Sequence, residues 1–256
     1  ITQPVTVNGG ASGQTIGSIA QGAEASVVEI GTRPITAPSL LGGSSGLVDG
    51  FLVSADGLVV TSVHAIRGAT KLTVATNDGR VYPATVVRAD STHGLVVLRA
   101  VGATGLTPLS FASQDPRPGD EAVVVAHVPF SPLTLSVGPV SSTGITVTLA
   151  DGEPQLSDVM TVDATADPRA DGAPLLSGGG DVIGVVINAG AASPGVVAMS
   201  GRDAAALAAA VTGGGQASPA TFGADSVILD AATAAASGLP AGALIRSTVP
   251  GLSLIH

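Results

Sequence analysis

The chain has 256 residues, of which 45% are hydrophobic and only 11% charged, and its formal net charge is −9. This charge argues against nucleic-acid binding, because that polymer requires a basic face and the ten Lys and Arg residues are scattered along the chain. The absence of cysteine excludes a disulfide framework and any thiolate nucleophile or metal ligand. Trp is absent and Tyr and Phe are scarce, so the core must be built from Val, Leu, Ile and Ala.

The first stretch, ITQPVTVNGGASGQ, is polar and contains Gly and Ser. Such a composition is typical of a connecting segment, so residues 1–20 are predicted to form an extended N-terminal arm. The sequence contains no run of about twenty apolar residues and no signal-peptide pattern, and we expect no membrane span within it. The sequence leaves open whether a leader or a membrane anchor has been removed from a longer precursor.

Short Val-rich runs alternate with turn signals over residues 21–212. The turn signals include Ala55-Asp56-Gly57 and Asn77-Asp78-Gly79. Many short strands at this spacing, with hardly any helix between them, indicate an all-β sandwich or barrel domain.

The end of this domain is predicted to be helical. In SGRDAAALAAAVTGGG, Ser200 is a suitable N-cap, Ala and Leu favour helix, and the glycine run from Gly213 ends it. Residues 213–219 are interpreted as a flexible linker. Residues 220–256 have the pattern of a strand, a short helix and a second strand.

The segment DGLVVTSVHAI places His64 just after a buried strand. This segment resembles the one that carries the catalytic histidine in the HtrA (DegP) family of trypsin-like serine proteases. The resemblance continues in order through RPGDEAVVVAHVPF, TVDATADPRADGAPLL and DVIGVVINAG, over about residues 18–211. This resemblance implies a trypsin-like double β-barrel with a C-terminal helix. Residues 220–256 resemble the beginning of a PDZ domain, which implies a partial PDZ-like appendage after the barrels.

The resemblance also implies that the catalytic machinery has been altered. His64 matches the histidine of the Ser-His-Asp triad, but the position of the orienting aspartate aligns with Gly94 in DSTHGLVVL. Asp90 matches an acidic position four residues earlier and is not expected to replace that carboxylate. His93 and His127 are interpreted as ordinary loop residues.

The loop that carries the family's nucleophile corresponds to DPRADGAPLL. The serine aligns with Asp171, and the glycine whose N–H belongs to the oxyanion hole aligns with Arg169. A carboxylate at Asp171 is expected to face His64 and accept a charge-assisted hydrogen bond, unless Arg169 captures it first. No active catalytic residue is therefore predicted.

Metal and cofactor sites are not predicted. The acidic residues lack the spacing of a Ca²⁺ loop and the histidines lack zinc spacing. The segment GGSSGLVDG has no lysine and opens no helix, which argues against phosphate binding.

These observations together predict a catalytically inactive HtrA-like pseudoprotease that acts through protein or peptide binding at the cell envelope. Two alternatives stay open: a residual endopeptidase with Ser62 or Ser177 as its nucleophile, and a structural or assembly module without a ligand groove. The N-terminal arm resembles the segment after the anchor in membrane-anchored HtrA proteins, which implies an extracytoplasmic protein. Homo-oligomers, which the family forms, are a further open expectation.

Overall fold

The computed structural model describes residues 15–34, 46–127, 133–148, 155–187 and 195–212, and the backbone of strands at 224–229 and 242–248. The chain divides into two compact units, Ile1–Gly213 and Gly214–His256. The second unit contains an antiparallel strand pair, Ala224–Leu229 and Gly242–Thr248. The predicted linker at 213–219 and the short helix between these strands lie outside the described residues, and the PDZ-like character of this unit stays a prediction.

The first half of the larger unit is a closed antiparallel barrel in the order β1-β2-β3-β6-β5-β4. Its strands are β1 (Val27–Gly31), β2 (Leu47–Leu52), β3 (Leu58–Ser62), β4 (Thr73–Ala75), β5 (Val81–Asp90) and β6 (Leu95–Ala100). The short β4 closes the barrel by pairing with β1. We call this barrel 1.

The second half, barrel 2, is also closed and antiparallel, in the order β10-β11-β12-β9-β8-β7. Its strands are β7 (Glu121–Ala126), β8 (Thr134–Thr148), β9 (Gln155–Val162), β10 (Pro174–Ser177), β11 (Val182–Val186) and β12 (Val196–Ser200). The two six-stranded barrels confirm the predicted trypsin-like double β-barrel.

Local chemistry explains where the strands turn. Gly57 and Gly79, at the two predicted turns, have φ of 87° and 84°, a conformation that residues with a side chain rarely adopt. The β2–β3 and β4–β5 hairpins of barrel 1 therefore depend on glycine at their turns.

The core contains the aliphatic residues that the composition required. One apolar cluster fills each barrel, and a third joins the barrels to each other and to the flanking helices. Phe51 is fully buried in the shared cluster and meets Phe111 edge-on, with ring centroids 6.1 Å apart. This shared cluster holds the two barrels against each other.

The predicted helix at the end of the domain is confirmed as Gly201–Thr212, which we call α2. The Ser200 hydroxyl accepts the Arg202 N–H at 3.2 Å, as expected of an N-cap. Ala204, Leu207 and Ala208 are buried against the shared cluster.

The N-terminal arm is not extended throughout. Residues Ile16–Ala23 form a helix, α1, with Thr15 as its N-cap. Its apolar residues lie at helical spacing and bury one face against the shared cluster. The prediction of an extended arm over residues 1–20 was therefore wrong from residue 16 onwards, because the Gly and Ser content concealed a short amphipathic pattern. Residues 1–14 lie outside the described residues.

Within the part of the chain that the structure describes, no helix combines the length and apolar character required to cross a membrane.

Candidate functional site

His64 and Asp171 meet where the two barrels adjoin. His64 follows β3 of barrel 1, and Asp171 ends the 3₁₀ turn Pro168–Ala170 that precedes β10 of barrel 2. The His64 Nδ1 lies 2.5 Å from Asp171 Oδ2, and the hydroxyl of Ser62 donates to Asp171 Oδ1 at 2.6 Å. The aligned nucleophile position therefore holds a carboxylate with a partner at each oxygen.

The members of this group differ in exposure. The side chain of Asp171 is only 4% exposed and that of His64 is 38% exposed. Ser62 is fully buried, and its oxygen also accepts the N–H of Ala65 at 2.9 Å. The hydroxyl and the carboxylate are thus part of the interior, whereas the imidazole is partly exposed at the surface.

The turn before Asp171 is fixed by Asp167. Its Oδ1 accepts the backbone N–H of Arg169 at 2.9 Å, as an N-cap, and lies 3.2 Å from the Arg169 Nε. Arg169 therefore pairs with Asp167, and it does not take the Asp171 carboxylate away from His64.

Gly172 lets the loop pack tightly onto barrel 1. It has φ of 88°, and a Cβ at this position would lie 2.0 Å from Thr61 Oγ1 and 2.2 Å from the carbonyl oxygen of Asp49. The Asp171 carbonyl also accepts the Asp49 N–H at 3.2 Å. Only glycine fits between the Asp171 loop and the two strands beneath it.

Gly94, which the HtrA resemblance aligns with the orienting aspartate, has no side chain to supply a carboxylate. Its carbonyl accepts the Val63 N–H at 2.8 Å, and its φ is 64°. A Cβ here would lie 3.3 Å from Leu156 Cδ1 of β9. An apolar side chain of barrel 2 therefore packs close to Gly94.

Asp90 interacts with His93. Its Oδ2 lies 2.7 Å from His93 Nδ1, and its Oδ1 accepts the backbone N–H groups of Thr92 and His93. The His93 Nε2 lies 4.0 Å from Asp203 Oδ2 on α2. His93 does lie in the turn between β5 and β6, as predicted, but its side chain is packed between two carboxylates and is only 26% exposed. Burial raises the pKa of Asp203 above its usual value, and the nearby His93 lowers this pKa by a smaller amount.

A second buried pair was missed in the sequence. The carboxylate of Asp49, on β2 of barrel 1, accepts the backbone N–H of His127, just after β7 of barrel 2, at 3.1 and 3.3 Å. The His127 Nδ1 lies 3.6 Å from Asp49 Oδ1, an ion-pair distance that is too long for a hydrogen bond. His127 does lie in a loop, as predicted, but its side chain is only 15% exposed and has a charged partner.

The surroundings of this pair shift the pKa values of both Asp49 and His127. Burial raises the pKa of Asp49 to about 6, against the lowering effect of His127, and the charge of Glu29 on β1 raises it further. Burial alone would lower the pKa of His127, but the Asp49 carboxylate, with the charges of Glu29 and Glu24, outweighs it, so the pKa is raised from 6.5. Both groups therefore bind their protons more tightly in the folded protein.

Among the described residues, no three His, Asp or Glu side chains are grouped closely enough to hold a metal ion.

Comparison with known proteins agrees with the double-barrel fold. The family model described as a trypsin-like peptidase domain matches residues 48–185. The chain is 38% identical over 139 residues to a probable periplasmic serine endoprotease, DegP-like, of Chlamydia pneumoniae, covering 53% of this chain and 27% of that protein. It is 32% identical over 166 residues to serine protease PepD of Mycobacterium tuberculosis, covering 57% and 34%. The matched part is thus about a third or less of these relatives' length.

A solved structure shares the fold. The HtrA-type protease AlgW with a decapeptide superimposes with a TM-score of 0.68 at 20% identity, covering 93% of this chain and 80% of that one. Together with the sequence matches, this confirms the predicted likeness to HtrA and DegP proteases.

Proposed function

Because the chain belongs to the trypsin-like peptidase domain family, we propose that it is a catalytically inactive, HtrA-like member that works through contacts with proteins or peptides. The observation that carries the proposal is the Asp171 carboxylate, which is held by His64 and Ser62 where the family has its nucleophilic serine. A carboxylate that attacked a peptide carbonyl would give an anhydride that reverts. The site therefore lacks the nucleophile that the family uses, a serine hydroxyl paired with a general base.

The geometry around His64 also lacks the orienting acid. In the family's triad a buried aspartate fixes the histidine tautomer and stabilises the imidazolium. Gly94 supplies no such group, and Asp90 is bound to His93. In this chain the carboxylate partner of His64 comes from the opposite barrel, at the nucleophile's own position.

The oxyanion site provides a third line of support. In the family, backbone N–H groups of the nucleophile loop stabilise the negative oxygen of the tetrahedral intermediate. Here the Arg169 N–H is already donated to Asp167 Oδ1. One of the required donors therefore points into its own turn, away from any substrate oxygen.

The two serines considered as alternative nucleophiles are poorly placed. Ser62 is fully buried and donates to Asp171. Ser177 ends β10, where it pairs with Ala122 of β7, and its oxygen accepts the Gly179 N–H. These positions argue against a residual serine endopeptidase.

Peptide or protein binding and an extracytoplasmic location complete the proposal. AlgW was solved with a decapeptide, and the Chlamydia relative is named a periplasmic endoprotease. An inactive barrel of this kind can still hold an extended chain at its cleft by backbone pairing. Assembly into homo-oligomers and anchoring through a segment before the arm belong to the same hypothesis.

Two assays on the wild-type protein test the proposal together. With unfolded casein, we expect intact substrate and measurable binding, the latter by fluorescence anisotropy of labelled casein. With a fluorophosphonate, we expect no covalent adduct by intact-mass spectrometry, whereas trypsin treated in parallel is labelled fully. Cleavage or labelling that His64→Ala abolishes would contradict inactivity, and absence of any binding would favour the assembly-module alternative.

Restoring the serine alone should leave the protein inactive. Asp171→Ser returns a hydroxyl, but His64 still lacks an orienting acid and the Arg169 N–H is still engaged. We expect acylation only when Gly94→Asp and Arg169→Gly are added. Rapid fluorophosphonate labelling of the single variant would show that the remaining scaffold is competent.

A further inference from the structure

The Asp49 carboxylate lies at a junction of three segments. Asp49 itself is 1% exposed, and its carboxylate accepts the N–H of His127 from barrel 2. Its own N–H donates to the Asp171 carbonyl at 3.2 Å. Its carbonyl accepts the hydroxyl of Thr61 on β3 at 2.7 Å. One residue therefore ties β2 to the neighbouring strand, to the opposite barrel and to the Asp171 loop.

The charged groups around the pair are mostly acidic. Glu29 lies opposite Asp49 on β1, Glu24 follows α1, and Arg169 of the 3₁₀ turn lines the same narrow crevice. The Arg169 guanidinium is paired with Asp167. His127 is therefore the cation that can most directly compensate a charge on Asp49, and its Nδ1 is buried without a hydrogen-bond partner.

We infer that the Asp49–His127 pair is a proton-dependent clasp between the two barrels, which holds the Asp171 loop tightly in mildly acidic solution and loosens it above neutral pH. At low pH a neutral Asp49 can stay buried and still accept the His127 N–H. Near pH 6 a carboxylate can face a protonated His127. At higher pH an ionised Asp49 and a neutral His127 remain, and a buried carboxylate without a cation is strongly disfavoured.

The direction of the effect follows from proton linkage. Both groups have a raised pKa in the folded state, so their contribution to stability is complete below the unfolded values of 3.8 and 6.5 and is lost as pH rises through the folded ones. For Asp49 alone, with a folded pKa of about 6, the folding equilibrium constant should fall about tenfold between pH 5 and pH 7. His127 acts in the same direction.

The test compares the wild-type chain with Asp49→Asn, which keeps the size and an acceptor oxygen but does not titrate. The control is Asp181→Asn, which removes an exposed carboxylate in the turn between β10 and β11. The folding equilibrium constant should fall about tenfold more between pH 5 and pH 7 in the wild type and in the control than in Asp49→Asn. Equal pH slopes in all three proteins would overturn the inference.

Two readouts on the wild type keep the test independent of the variant's folding. The carboxyl carbon of Asp49, followed by NMR, should titrate near pH 6; a midpoint near 4 would overturn the inference. The protection factors of the Asp49 and His127 amides against hydrogen exchange should also fall about tenfold from pH 5 to pH 7. Constant protection at these two amides would contradict the clasp, even if global stability changed.

Discussion

Two aspartate–histidine pairs join the barrels, and they use the same chemistry in different surroundings. In the first, His64 is partly exposed and lies 2.5 Å from an Asp171 oxygen, with Ser62 holding the other oxygen. In the second, the Asp49 side chain is 2% exposed and that of His127 is 15% exposed, and the two approach only to 3.6 Å. The contacts with His64 and Ser62 satisfy both oxygens of the Asp171 carboxylate. For Asp49, burial is the largest influence on the pKa, and it raises that pKa. Two close donors thus hold the Asp171 carboxylate, whereas the buried Asp49 carboxylate has one backbone donor and a more distant imidazole.

Gly172 lies between the two pairs, so a side chain there should disturb both. Gly172→Ala places a methyl group against Thr61 and the Asp49 carbonyl, and it also forces alanine into a left-handed conformation. We expect the free energy of unfolding to fall by about 4 kcal/mol. Urea denaturation measures this loss.

The matched control for Gly172→Ala is Gly79→Ala. Gly79 has a similar φ of 84° but open space around a Cβ. Its loss should be about 1 kcal/mol, from conformation alone. Equal losses in the two variants would show that the Asp171 loop is not packed as tightly onto barrel 1 as described.

Gly94→Asp probes the position that the HtrA resemblance aligns with the family's orienting aspartate. The new side chain would adopt φ near 64° and press on Leu156, so we expect a loss of about 2 kcal/mol. Gly105→Asp, with φ of 67° and no neighbour within 4 Å of a Cβ, isolates the conformational part. A Gly94→Asp protein as stable as Gly105→Asp would mean that Leu156 does not occupy this space.

His93 extends the comparison to a third pair, between barrel 1 and α2. His93→Gln removes the group that lies between Asp90 and Asp203. We expect the free energy of unfolding to fall by about 1 kcal/mol, because the ring's short contact with Asp90 and its approach to Asp203 are lost. Chemical denaturation measures this loss, and a variant as stable as the wild type would contradict the assignment.

The fold could be predicted from local signals that repeat along the chain. Val-rich runs and glycine turns, such as those at Gly57 and Gly79, report the strands directly, and the order of the segments identified the barrel type. The helix α1 was missed because Thr15 and the apolar residues after it form only two turns within a Gly- and Ser-rich stretch. Short patterns of this kind become decisive only when a neighbouring core is available.

The site could be predicted only where the chain resembles a known motif. His64, Gly94, Arg169 and Asp171 were identified by alignment with the HtrA segments. Asp49 and His127 are 78 residues apart and belong to different barrels. No spacing in the sequence reports such a pair, because the contact arises from the packing of the barrels.

A double-mutant cycle on His64 and Asp171 tests whether their contact stabilises the fold. The free energy of unfolding is measured for the wild type, His64→Ala, Asp171→Ala and the double variant at pH 6. If the nucleophile position now serves as a structural contact, the coupling energy should be stabilising and about 1 kcal/mol, since His64 is partly exposed. A coupling energy indistinguishable from zero would contradict the account.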